Sequence, residues 1–259
     1  MIKQWMIQQL CLGLCVMSLM GCDSDDYNLN NTARLSLRFS HFWDNSEVSN
    51  ADFNDFKFTT QAGDLLSIER LRYLISDIQL VDSNNQIREF DVYNLVDVTT
   101  NSGLSFNLDE DLLGGNYRVL FTFGFDDADN AENYPDLNSA NFNVPDMLGG
   151  GYHYMQFDGK FINTNSEEQG YNYHTIRAVD ISSGAPIFPQ DTFFTVDLGV
   201  ISISRSVEVE VRTNLAEWFK NPNIWELNEL NTVLMPNANA QILMYENGQT
   251  VFTRGELSN

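Results

Sequence analysis

Apolar and polar residues alternate with a period of two through most of this chain, beginning at Leu35, Leu37, Phe39, His41 and Trp43. Successive side chains of a strand point to opposite faces, so these five share one face of a first strand. The same signal predicts strands over 56–60, 65–80, 87–98, 104–108 and 117–125, then over 152–162, 171–179, 192–203 and 207–212. Gly, Asn and Asp clusters separate them, as hairpins and Greek-key connections require. Many short strands divided by turn signals predict an all-β fold, an antiparallel β-sandwich with Greek-key-like connections. Helical patterning arrives late. Residues 214–220 predict a short turn of helix stopped by Pro222, and 237–246 predict a second, capped by Asn237 or Asn239, with Gly248 just beyond its end. With no internal repeat and no domain-splitting linker, residues 33–259 read as one domain.

Two stretches depart from this alternation. The first is the connection 126–151, which opens with Asp126-Asp127-Ala128-Asp129-Asn130 and closes on three consecutive glycines. A connection of that length without structure of its own is usually functional or disordered. The second is the start of the chain, where Lys3 precedes an apolar run from about Trp5 to Met20 and then Gly21-Cys22. A cationic start, an apolar middle and small residues at a cut form a secretory leader, here 1–21. A cysteine directly after the cut marks a bacterial lipoprotein, with Cys22 as the lipidated residue. Residues 22–32 are then an acidic, polar tether between membrane and domain. The chain is therefore expected in the cell envelope of a Gram-negative bacterium, lipid-anchored at the outer membrane and facing the periplasm or the surface.

Charge and cysteine content narrow the chemistry. The chain carries 36 acidic against 14 basic residues, a formal charge of −22, and loses one more positive charge when Lys3 leaves with the leader. Such a surface repels nucleic acid and anionic headgroups and favours cations. Of the three cysteines, Cys11 and Cys15 leave with the leader and Cys22 takes the lipid. That excludes disulfides, thiolate metal sites, iron–sulfur clusters and cysteine nucleophiles from the mature chain. Any metal must be held by His, Met, carboxylate or carbonyl groups. There is no G-x-S-x-G elbow, H-E-x-x-H pair or phosphate-binding glycine loop, so a binding protein is expected and not an enzyme.

Three histidines exist, and each falls in a predicted strand beside aromatic residues. By alternation His41 lies with Phe39 and Trp43, His153 with Met155 and Phe157, and His174 with Asn172 and Ile176, all directed inward or into a strand-end pocket. Neutral imidazoles on neighbouring strands with a Met thioether nearby suit copper better than Ca²⁺ or Mg²⁺. His41, His153 and His174 are thus candidate ligands, with Met155 a further one. Three separate core histidines, each satisfied by a carbonyl, is the competing reading. Asp126, Asp127, Asp129 and Asn130 form a candidate calcium loop without EF-hand spacing, against which stands a plain solvated acidic loop.

The order of segments carries a resemblance. Leu71-Arg72-Tyr73-Leu74-Ile75-Ser76-Asp77-Ile78-Gln79-Leu80 precedes 91–98 (DVYNLVDV). Phe121 to Asp126, the Pro135-Asp136-Leu137-Asn138 loop, 149–161 (GGGYHYMQFDGKF) and Tyr173-His174-Thr175 follow, with Trp218, Phe219, Pro222 and Gly248 in the tail. Across most of 33–253 this resembles the MbnP-like family of exported copper-binding proteins, in particular lipoproteins of Bacteroidetes-type bacteria. The resemblance implies a β-sandwich that binds copper through histidines for uptake or handling. It also implies a di-haem peroxidase-like partner that oxidises a tryptophan to kynurenine; a TonB-type receptor is a further candidate partner, whose gene beside this one would favour the metal reading. His153, His174 and His41 sit where the family places histidines or close by. The tryptophan-rich stretch expected before the glycines is replaced here by Asn141-Phe142-Asn143-Val144-Pro145-Asp146-Met147-Leu148. The acidic tether and abundant Tyr and Trp support an alternative, a metal-independent surface lipoprotein gripping a glycan or protein partner.

Overall fold

The longest predicted strand, 65–80, becomes the longest strand of the fold, Leu65–Val81, and one of the two main sheets is organised around it. The computed structural model describes residues 32–258; the leader and Cys22 lie outside the described residues. Met155–Ile162 pairs with residues 66–73 of the long strand, Gly115–Phe123 with residues 75–81, and Ile87–Asp97 with residues 72–81. Glu168–Thr175, Phe194–Ile203 and the short Phe58–Thr59 complete a seven-stranded antiparallel sheet. Leu35–Trp43, Ser46–Val48, Ser105–Asn107, Val207–Asn214 and Phe252–Ser258 form a five-stranded sheet.

The strands predicted from alternation are present with ends shifted by a few residues. One pairing departs from the antiparallel expectation: Val207–Asn214 runs parallel to Leu35–Trp43, with Val207 opposite Leu35. The two segments are far apart in sequence, so no tight hairpin dictates their direction. Phe252–Ser258 was not expected. Its Thr253-Arg254-Gly255-Glu256 stretch is polar because this strand pairs along one side with Val207–Asn214 and is exposed over much of its length.

Between the sheets, Leu35, Leu37 and Phe39 are buried against Tyr73, Phe121 and Phe123. The Phe39 ring meets Tyr73 and Phe121 edge-on, with centroids 6.0 and 6.2 Å apart. Edge-to-face pairs of this kind add to the burial of large rings. Tyr171 and Tyr173 belong to the same core, so they are packing residues. Both predicted late helices form: a 3-10 turn over Leu215–Phe219, capped by Asn214, and an α-helix over Ala238–Gly248, capped by the Asn237 side chain. Within 126–151 the chain forms a 3-10 turn at Asp129–Ala131, a helix at Pro135–Ser139 and a 3-10 turn at Asp146–Leu148. Leu137 and Phe142 are fully buried, so this connection is a packed part of the fold.

Candidate metal centre

Strand register assembles the site. Gln156 sits directly between Arg72 and His174, and Asp158 between Arg70 and Asn172. These six residues share one face of the seven-stranded sheet, because pairing partners point the same way and alternate residues repeat. Met155 with Tyr73, and Phe157 with Leu71 and Tyr173, share the other face, turned toward the five-stranded sheet. On the first face the Asp158 carboxylate accepts hydrogen bonds from His174 Nε2 at 2.7 Å, Arg70 Nε at 2.5 Å and Asn172 Nδ2 at 2.5 Å. Burial alone would raise its pKa, but the bonds and charge of these partners win and hold it at about 2. An ionised carboxylate only accepts, so His174 carries its proton on Nε2. In the neutral ring Nδ1 is then the lone-pair nitrogen.

His153 reaches the same face by another route. Gly149, Gly150 and Gly151 have φ of +96°, +69° and +78°, the left-handed region that glycine enters without strain. They turn the chain just ahead of the strand that begins at Met155. Between that turn and the strand, a bend at Tyr154 breaks the alternation that would place His153 beside Met155 and Phe157. Its backbone N–H and its ring Nδ1 both bond the Phe142 carbonyl oxygen, each at 2.9 Å. A carbonyl only accepts, so Nδ1 carries the proton and Nε2 the lone pair. His153 Nε2 is buried without a hydrogen-bond partner. Burial lowers the ring's pKa to about 4, which leaves it neutral at neutral pH. The two imidazole rings lie nearly perpendicular, at 85°, with centroids 5.2 Å apart. The Phe142 ring packs 5.7 Å from His153, with the Arg72 guanidinium 5.3 Å from its centroid.

The four ligands expected from sequence therefore divide across the sheet. His153 and His174 come together; His41 and Met155 face the interior. His41 Nε2 bonds Tyr73 Oη at 3.0 Å, and that hydroxyl lies 3.3 Å from Thr213 Oγ1. Its burial lowers its pKa to about 3. This is the satisfied core histidine of the competing reading, although its partner is a phenol and not a carbonyl.

The candidate calcium loop does not converge. Asp126 Oδ1 accepts from the Ala128 and Asp129 amides, Asp127 pairs with Arg177 at 2.7 Å, and Asn130 Oδ1 accepts from the Tyr152 amide at 2.8 Å. Asp129 instead approaches Asp77 and Asp91. Burial, with Asp129 adding repulsion, pushes the Asp77 carboxyl up to about 6. A calcium site on this loop is unsupported. Sequence reasoning passed over Asp158, Gln156, Arg70, Arg72 and Phe142. The available signal was the polar parity of Gln156, Asp158 and Lys160 within a strand whose other face is apolar.

Buried His41 makes a testable contribution to acid stability. Its folded pKa, about 3, lies below the unfolded value of 6.5. As pH falls below 6.5 the unfolded chain binds a proton that the folded chain refuses, removing about 1.4 kcal/mol per pH unit until the folded pKa is reached. Asp77 works in the opposite sense, because its raised pKa lets the folded state take up a proton first. Comparing His41→Gln with the parent cancels that shared term. The variant is expected to be less stable at pH 7 and to lose less stability on going to pH 4, measured by urea unfolding. Parallel stability curves would refute this role.

A family model for MbnP matches residues 32–236. The chain belongs to the MbnP family. Among solved structures, MbnP from Methylosinus trichosporium is similar at a TM-score of 0.50 and 13% identity, over 74% of this chain and 79% of that one. At that identity the likeness is one of fold. A search of curated proteins gives no significant match. The MbnP match encloses His153, Asp158 and His174 and ends before the helix Ala238–Gly248. From that helix, Gln241 Nε2 donates to the His174 carbonyl oxygen at 2.9 Å, and Gln241 Oε1 accepts from the Ile176 amide at 2.8 Å. The C-terminal helix thus braces the edge strand that carries His174 in this MbnP-family chain.

Proposed function

We propose that this MbnP-family protein binds copper between His153 and His174, outside the cytoplasm, for uptake or handling and not for catalysis. One observation carries the reading. Each imidazole has one nitrogen held by an oxygen acceptor and the other bare, and the bare His153 Nε2 is buried without a partner. Histidines that ligate metals characteristically donate their second ring nitrogen to a carbonyl or carboxylate, which sets the tautomer and aims the lone pair. An unpaired buried acceptor is costly, and a metal bond would satisfy it. Two imidazoles with no thiolate suit copper, which when bound would supply a soft Lewis-acid centre.

The tryptophan-derived group of the family resemblance has no counterpart in this arrangement. The ring that the stretch before the glycines packs on His153 is Phe142, a phenyl that cannot become kynurenine. The two histidines would then hold copper with solvent or a donor molecule at the remaining positions. The leader and Cys22 support export and anchoring, and a di-haem peroxidase-like protein or TonB-type receptor remains a proposed partner.

The test is metal retention by residues 23–259. The protein is incubated with copper, zinc or calcium and desalted, and bound metal is measured per chain. Near-stoichiometric copper is expected; retention of calcium alone, or of no metal, would overturn the reading.

A further inference from the structure

A recess of about 400 Å³ lies in the crook of the 126–151 connection, and neither His153 nor His174 lines it. Its floor is a fixed amide framework. Asn138 Oδ1 accepts from Tyr152 Oη at 2.9 Å and from Asn143 Nδ2 at 2.6 Å, while Asn138 Nδ2 donates to Asn133 Oδ1 at 2.7 Å. Tyr152 Oη in turn accepts from the Tyr134 amide at 2.8 Å. These bonds orient the wall before any ligand arrives, which reduces the cost of ordering it on binding.

Asn130 points to an occupant. The residue is 6% exposed and lines the cavity. Its Oδ1 accepts from the Tyr152 amide, which settles which way the side-chain amide faces, and its Nδ2 has no hydrogen-bond partner in the protein. Gly151 keeps that amide open, since a Cβ there would stand 2.6 Å from both Nδ2 and Oδ1 of Asn130. This Nδ2 still reaches solvent through the recess, so it is open to an acceptor that enters there.

Charge and composition define the ligand class. Asp127 and Arg177 neutralise each other, and the Arg177 guanidinium lies 3.3 Å from the Phe188 ring centroid. That leaves the exposed Glu132 at the wall, which disfavours anions. The lining is mainly amide and carboxylate, unlike the apolar lining usual for acyl or aromatic ligands. A planar amide offers a donor and an acceptor side by side, and a hydroxyl both donates and accepts, so neighbouring hydroxyls match this wall. We propose that the cavity binds a neutral, hydroxyl-rich ligand of monosaccharide size, through the Asn130 amide and the Asn138–Asn143 framework. The proposal is independent of copper.

The test is an amide ¹H–¹⁵N titration of the folded chain with the methyl glycosides of glucose, mannose, galactose and N-acetylglucosamine. Saturable shifts are expected at Gly151, at Asn143 and at the Asn130 side chain with at least one of them. Ala131→Trp fills the cavity from an exposed position whose side chain makes no hydrogen bond, and should weaken that binding about tenfold or more. Asn130→Ala should do the same, but it also releases the Tyr152 amide, so Ala131→Trp is the decisive variant. Copper retention by Ala131→Trp should match the parent, which separates this proposal from the histidine site. Absence of saturable shifts with all four sugars would overturn the proposal. So would shifts that survive Ala131→Trp, or saturation by methylammonium in place of any sugar.

Discussion

His153→Ala and His174→Ala each yield a folded protein whose copper affinity falls by more than about 100-fold, beyond the range seen when groups outside the coordination sphere are changed. Each substitution removes one of the two bare imidazole nitrogens, and a metal held by two side chains cannot lose one and stay. The fold should survive because both rings lie on the face of the seven-stranded sheet turned away from the five-stranded sheet. His153→Ala leaves a small void beside Phe142 and is expected to cost about 1–3 kcal/mol of stability. Circular dichroism with thermal unfolding monitors the fold, and competition with a chromophoric copper chelator monitors affinity. His41→Ala is the control. Its ring lies in the interior with Tyr73, so the variant should be destabilised and still bind copper. Loss of copper from His41→Ala together with its retention by both other variants would move the centre between the sheets and refute the assignment.

Asp158→Ala is expected to produce the second large effect, on two separable quantities. It removes the acceptor that sets the His174 tautomer, which should weaken copper about 10- to 100-fold. It also leaves Arg70 and Asn172 without their shared carboxylate. Removing one partner of a buried ion pair costs about 3–5 kcal/mol. Arg70 keeps 40% of its side chain in contact with solvent, which reduces the expected loss to about 2–3 kcal/mol. The pH dependence identifies the cause. The Asp158 pKa is about 2 in the fold, below the ordinary carboxylate value of 3.8. Its stabilisation is therefore fully present above about pH 4 and lost as pH falls through 2. The gap between parent and variant in urea should be widest at neutral pH and narrow below pH 4. A gap independent of pH would show that packing, not charge, is lost. Imidazole ¹⁵N shifts provide the readout that a purely structural role would not move: His174 should hold one tautomer in the parent and exchange between two in Asp158→Ala.

Much of the fold was legible because strand formation is local. The period-two pattern from Leu35 to Trp43 predicts which side chains are buried, and all five of its odd-numbered residues are. The cap of the last helix was legible as one of two candidates, Asn237 or Asn239, since a capping side chain bonds an amide two or three residues on, and Asn237 is the one that does. The last strand escaped because its exposed, polar residues lack the alternation that burial on one face imposes. The site was half legible. Two of the three histidines meet, and nothing in the spacing of 41, 153 and 174 singles out which two.

By itself the sequence determined most of the strands, the late helices, the parity of His41 and the absence of any thiol after Cys22. These rest on residue chemistry and on backbone geometry over a few positions. Tertiary structure alone decided that Asp158 would lie between Arg70 and Asn172, within reach of His174, because pairing register joins segments nearly 90 residues apart. It also decided the face of His153. A bend at Tyr154, between His153 and the strand that begins at Met155, cancels the parity on which any reading of alternation depends.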